Sequence, residues 1–88
     1  MVLYSNGNHF YSDYIYDISE NGIFINSNAP IQAGSKISMS FLSFHKRGPI
    51  KISGDVIRSL PRGIGVEFKA QNDIQKNALN SFIEGFLS

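Results

Sequence analysis

Within six residues the chain places a carboxylate at Asp17, a hydroxyl at Ser19 and a turn-forming pair at Asn21-Gly22. A carboxylate only accepts hydrogen bonds, whereas a serine offers a hydroxyl and a backbone N–H. The Asn-Gly pair favours positive φ and a tight connection whose amides are free to meet a ligand. Two readings follow: a local Asx or ST turn that stabilises a hairpin, or a polar turn that faces a ligand. Arg58 is the most informative cation, because strand parity turns it inward, where a bare guanidinium is costly. It either reaches the rim to meet water, Asp17, Asp55 or Glu67, or it lines the ligand end of the fold. Arg62 reads as a turn residue beside Pro61 and Gly63, and His45-Lys46-Arg47-Gly48 as a solvated hairpin tip.

Other chemistries lack their residues. The absence of cysteine removes a disulfide framework, a thiolate zinc site and a cysteine nucleophile. His9 and His45 sit in separate turn regions without paired ligands at i+2 or i+4, so no metal site is expected. No serine stands in a nucleophile-elbow context and no base faces one by pattern, so neither an enzyme nor a cofactor is expected. Eight basic residues against seven acidic ones argue against affinity built on phosphate neutralisation. Tyr4, Tyr11, Tyr14 and Tyr16 crowd the first third of the chain, yet no basic stripe accompanies them. DNA and RNA are therefore not expected partners. No apolar run approaches the roughly 18–20 residues of a membrane span, and MVLYSNGN lacks a basic stretch followed by an apolar one. The expectation is a cytoplasmic chain with no membrane insertion.

The elements that must position these residues are short. Eighty-eight residues, 42% of them apolar, suffice for one domain over 1–88. Turn signals recur at Ser5–Asn8, Glu20–Gly22, Asn28–Pro30, Ala33–Ser35, Lys46–Pro49 and Pro61–Gly63. Between them, runs rich in Ile, Val, Phe and Tyr predict strands at about 2–4, 9–18, 23–26, 36–44, 50–60 and 63–69. In 50–60 the even positions, Ile50 to Leu60, point inward and include Gly54, which suits a bend or a close backbone approach. In 36–44 the apolar parity switches, which predicts a bulge near Phe41–Leu42. Asn72 and Gln75 form a variant capping box. Ile74, Ala78, Leu79, Phe82, Ile83 and Phe86 then fall at helical spacing. The expected architecture is all-β with one helix: a six-stranded antiparallel barrel over about 2–69 and an amphipathic C-terminal helix over about 72–87.

The segments YDISENGIFI, NSNAPIQAGSKISMSF, ISGDVIRS and RGIGVEF together resemble a PilZ domain over roughly residues 9–87. The most specific element is D/N-x-S-x-x-G, matched by Asp17, Ser19 and Gly22. It is joined in order by P-x-x-x-G at Pro30–Gly34, G-x-V-x-R at Gly54–Arg58 and G-x-G-V-x-F at Gly63–Phe68. The resemblance implies a bacterial signalling module that binds cyclic di-GMP through its barrel mouth, without catalysis. It makes Asp17, Ser19 and Gly22 one half of the ligand site, with Arg58 as an added candidate. A carboxylate at Asp17 matches the N1–H and N2–H₂ donor edge of guanine, and Ser19 suits a phosphate oxygen.

One departure bears on function. Ligand-binding members resembled here carry R-x-x-x-R just before the first strand, and its planar, permanently charged arginines clamp the phosphates. The first arginine of this chain is Arg47. Either the clamp lies upstream of Met1, or the domain is a degenerate PilZ that binds no nucleotide. The alternative function is a protein-interaction adaptor in pilus or motility regulation, which makes a protein partner an expectation beside cyclic di-GMP.

Overall fold

Alternating apolar residues build a sheet in the computed structural model, which describes residues 1–42 and 49–87. Its strands are β1 (Val2–Ser5), β2 (Phe10–Asp13), β3 (Ile15–Ile18), β4 (Gly22–Ile25), β5 (Lys36–Phe41), β6 (Ile50–Leu60) and β7 (Gly63–Lys69). One helix follows, α1 (Asp73–Leu87). All pairings are antiparallel, in the order β2-β1-β5-β6-β7-β4-β3. Six expected strands become seven because the run 9–18 divides at Tyr14. Its first half pairs with β1 and its second half with β4. The Tyr14 carbonyl accepts from the Asn26 N–H at 3.0 Å. The two halves of one run thus form the two edges of the sheet, and among the described residues no hydrogen-bonded ladder closes it into a full barrel.

Period-2 alternation sets the core. Val2, Tyr4, Ile23, Ile25, Ile37, Met39, Phe41, Ile52, Val56, Ile64 and Val66 are all buried. Gly54 makes the expected close approach: a Cβ there would stand 2.4 Å from Cγ1 of Val66 and 2.8 Å from Cε of Met39. Tyr4 takes a phenol into the core and satisfies it. Its hydroxyl donates to Oδ2 of Asp13 at 2.5 Å and also meets Oγ of Ser27. A phenol has one proton and a carboxylate only accepts, so Ser27 is the donor in the second contact. Ser27 Oγ in turn accepts from the Ala29 N–H at 3.0 Å. Burial pushes the Tyr4 pKa up from its ordinary 10.0, and the bond to Asp13 acts in the same direction.

Two bulges occur among the described residues, in β3 and β6. β5 stops at Phe41 and Leu42 is exposed beyond it, while Phe44 and the tip His45–Gly48 lie outside the described residues. One irregularity lies between Ile15 and Asp17 and leaves Tyr16 unpaired. It explains why Phe10, Tyr14 and Tyr16 are exposed while Ile18, of the same sequence parity, is buried. The other lies between Val56 and Arg58 and leaves Ile57 as the extra residue. Parity counted through 50–60 therefore holds as far as Val56, and Arg58 lies exposed rather than inward.

Helix α1 begins where its cap predicts. The Gln75 N–H donates to Oδ1 of Asn72 at 2.9 Å, and Oε1 of Gln75 accepts from the Gln71 N–H at 2.8 Å. Of the apolar stripe, Leu79 and Ile83 are buried and Phe82 packs on Phe41 with ring centroids 4.9 Å apart. Ile74 and Phe86, at the two ends of the stripe, are exposed, Ile74 to 81%.

Candidate functional site

The turn between β3 and β4 consists of Ser19, Glu20 and Asn21. The Ser19 N–H donates to the Gly22 carbonyl at 2.9 Å, so this amide is not free as expected. Oδ1 of Asp17 accepts from the Ile18 N–H at 2.9 Å. The expected positive φ at Gly22 is also absent: among the described residues only Gly7 and Gly34 have it. Glycine is required at 22 for another reason, since a Cβ would stand 2.5 Å from the Val66 carbonyl oxygen across the β4–β7 pairing.

Because Ile57 bulges, Arg58 stands opposite Gly65. Its Nε lies 3.5 Å from where a Gly65 Cβ would be, an ordinary contact distance, so the Arg58 side chain lies over Gly65 across the strands. Arg58 enters no ion pair among the described residues: of its expected partners, Asp55 and Glu67 are engaged by Lys36 and Lys69, and Asp17 lines the same cavity without pairing with it.

These residues meet on the outer face of the sheet rather than at a barrel mouth. Phe24, Gly65 and Glu67 alternate with the buried Ile23, Ile25, Ile64 and Val66. A cavity of about 270 Å³ there is lined by Asp17, Ser19, Gly22 and Arg58 together. All four expected site residues thus share one concavity. A neighbouring cavity of about 230 Å³ shares Asp17, Phe24 and Arg58 with it and adds Tyr16, Asn26 and Arg62. The Tyr16 and Phe24 rings meet edge-on, 5.9 Å apart at 73°. A larger hollow of about 370 Å³ over β1, β5 and β6 includes none of the expected site residues.

The family model for the PilZ domain matches residues 1–85 of the chain. The chain belongs to the PilZ domain family. No curated protein gives a significant match. PilZ domains form a family of cyclic di-GMP-binding modules that are generally non-catalytic. Among the described residues no helix is long and apolar enough to cross a membrane. The observed fold, mostly β with one C-terminal helix, agrees with this family. Sequence reasoning overlooked Phe24, Tyr16 and Arg62 as cavity residues of this PilZ domain. Phe24 was signalled by its parity, opposite to Ile23 and Ile25. Tyr16 and Arg62 carried no such signal, because one sits on a bulge and the other in a turn.

Proposed function

We propose that this PilZ domain recognises cyclic di-GMP on the outer face of its sheet and acts as a non-catalytic signalling module. The observation that carries this reading is the convergence of Asp17, Ser19, Gly22 and Arg58 on one cavity. Asp17 accepts from the N1–H and N2–H₂ edge of guanine. One of its oxygens already takes the Ile18 N–H, yet each carboxylate oxygen has two lone-pair sites. The Ser19 hydroxyl meets a phosphate oxygen, and Gly22 lets β4 lie close against β7 beneath the turn. No covalent bond changes in this role.

A second reading has its own support. No arginine precedes Arg47, so residues 1–46 contain no R-x-x-x-R clamp, and a nucleotide-free adaptor that works through a protein partner fits that fact. Titration of the ¹⁵N-labelled chain with cyclic di-GMP separates the two. The nucleotide reading expects saturable shifts at Asp17–Phe24, Arg58 and Gly65. Silence at all of these positions up to millimolar nucleotide overturns it and leaves the adaptor.

A further inference from the structure

Lys36 and Lys69 are tied to Asp55 and Glu67 at 3.3 and 2.6 Å. Arg58 and Arg62, by contrast, enter no ion pair among the described residues, and both line the cavity that also contains Tyr16 and Phe24. Two guanidinium groups held in no ion pair, with the Asp17 carboxylate and two aromatic rings in the same cavity, form an arrangement suited to a planar, phosphate-bearing ligand. Arginine binds a phosphate with a preorganised fork of donors and stays charged at every working pH. Tyr16 is 69% exposed, so its ring is available for stacking against a base or ribose.

Resting on the nucleotide reading, we infer that Arg58 and Arg62 form the phosphate clamp of this chain, supplied from β6 and the β6–β7 turn. Two local features set the geometry. The bulge at Ile57 turns Arg58 from the core side of β6 to the outer face. Gly65 opposite it presents no side chain to the guanidinium, which lies over the strand at ordinary contact distance. Arg58 borders both cavities, together with Asp17 and Phe24. A guanine held by Asp17 in the first cavity therefore puts its phosphate at Arg58, and the second phosphate passes toward Arg62. Tyr16 and Phe24 cover the apolar side of the ligand.

The test compares the whole chain with Arg58→Ala, Arg62→Ala, the double alanine variant and Arg58→Lys by calorimetry and NMR, using cyclic di-GMP and cyclic di-AMP as probes. Each alanine variant is expected to bind cyclic di-GMP about tenfold or more weakly, the scale of one lost charge-assisted contact. Arg58→Lys keeps the charge without the fork and recovers only part of that loss. Added salt weakens the parent chain more than the double alanine variant, since fewer charges remain to be screened. Both side chains are solvent-facing, and thermal melts of each variant report whether the fold is kept. If the parent binds cyclic di-GMP and neither alanine variant differs from it, the clamp is overturned while the nucleotide reading stands. If the parent binds neither dinucleotide, both fall. Equal, arginine-dependent binding of the two dinucleotides upholds the clamp and removes the guanine-reading role of Asp17.

Discussion

The Tyr4 hydroxyl and the Asp13 carboxylate meet at 2.5 Å between β1 and β2, and Ser27 closes on the same phenol oxygen from the β4–β5 connection. Asp13 immediately precedes the Tyr14 joint, and Ser27 follows Asn26, whose N–H bonds to Tyr14. One buried side chain therefore ties β2, an edge of the sheet, to the β4–β5 connection beside Tyr14.

Tyr4→Phe removes the hydroxyl and leaves Asp13 and Ser27 without this partner. A loss of about 1–3 kcal/mol is expected for such unpaired groups. Urea denaturation reads it as a lower midpoint at unchanged slope. An unaltered midpoint would show that water replaces the phenol at no cost.

The same phenol makes stability depend on alkaline pH. Burial, aided by the bond to Asp13, raises its folded-state pKa above the ordinary 10.0. The unfolded chain therefore loses this proton first. The contribution to stability is complete below about pH 10 and declines as pH rises beyond it. Denaturation midpoints measured across that range should fall in the parent chain and flatten in Tyr4→Phe.

Gly22→Ala forces a Cβ to within 2.5 Å of the Val66 carbonyl oxygen, a backbone atom that cannot swing aside. Overpacking of this kind costs about 1–3 kcal/mol. Because the clash lies between β4 and β7, the loss should appear in a thermal melt with no nucleotide present.

Asp17→Asn separates base recognition from turn structure. Asparagine keeps an oxygen for the Ile18 N–H but turns the other position into a donor facing the guanine N–H edge. Nucleotide binding should weaken by about 1–3 kcal/mol, the scale of a hydrogen bond to a charged group. The melting temperature should barely move. A variant that melts earlier yet binds unchanged assigns Asp17 to the turn alone.

Along α1, Leu79→Ala and Ile83→Ala each empty a buried site and should cost about 2–5 kcal/mol. Ile74→Ser lies on the same stripe but at an exposed position, and should stay within about 0.5 kcal/mol. Chemical denaturation of the three variants compares them directly. Equal losses would mean that the first helical turn is packed after all.

Much of this was legible in the residues. Alternation over Ile50–Val56 and Ile64–Phe68 is a local property, and the sheet reproduces it. The cap at Asn72 is likewise local and forms as its chemistry dictates. The three motif residues Asp17, Ser19 and Gly22 lie close in sequence, so their shared cavity needed only a hairpin. Arg58 was misjudged in direction because a bulge depends on how two strands register, which no single run encodes. The need for glycine at 22 has another cause than its own φ: it comes from Val66, 44 residues away along the chain.

Tyr14 alone joins the two edges of the sheet, so the hairpins β1–β2 and β3–β4 share one backbone with no slack between them. A one-residue slip between β1 and β2 would exchange the faces of Tyr11 and Ser12, and the strand would have to absorb the shift further on. The next irregular point is the bulge at Tyr16, directly before Asp17. A pairing error made at the far edge is therefore delivered to the cavity as a displaced carboxylate, and correct strand register on one side becomes a condition for recognition on the other.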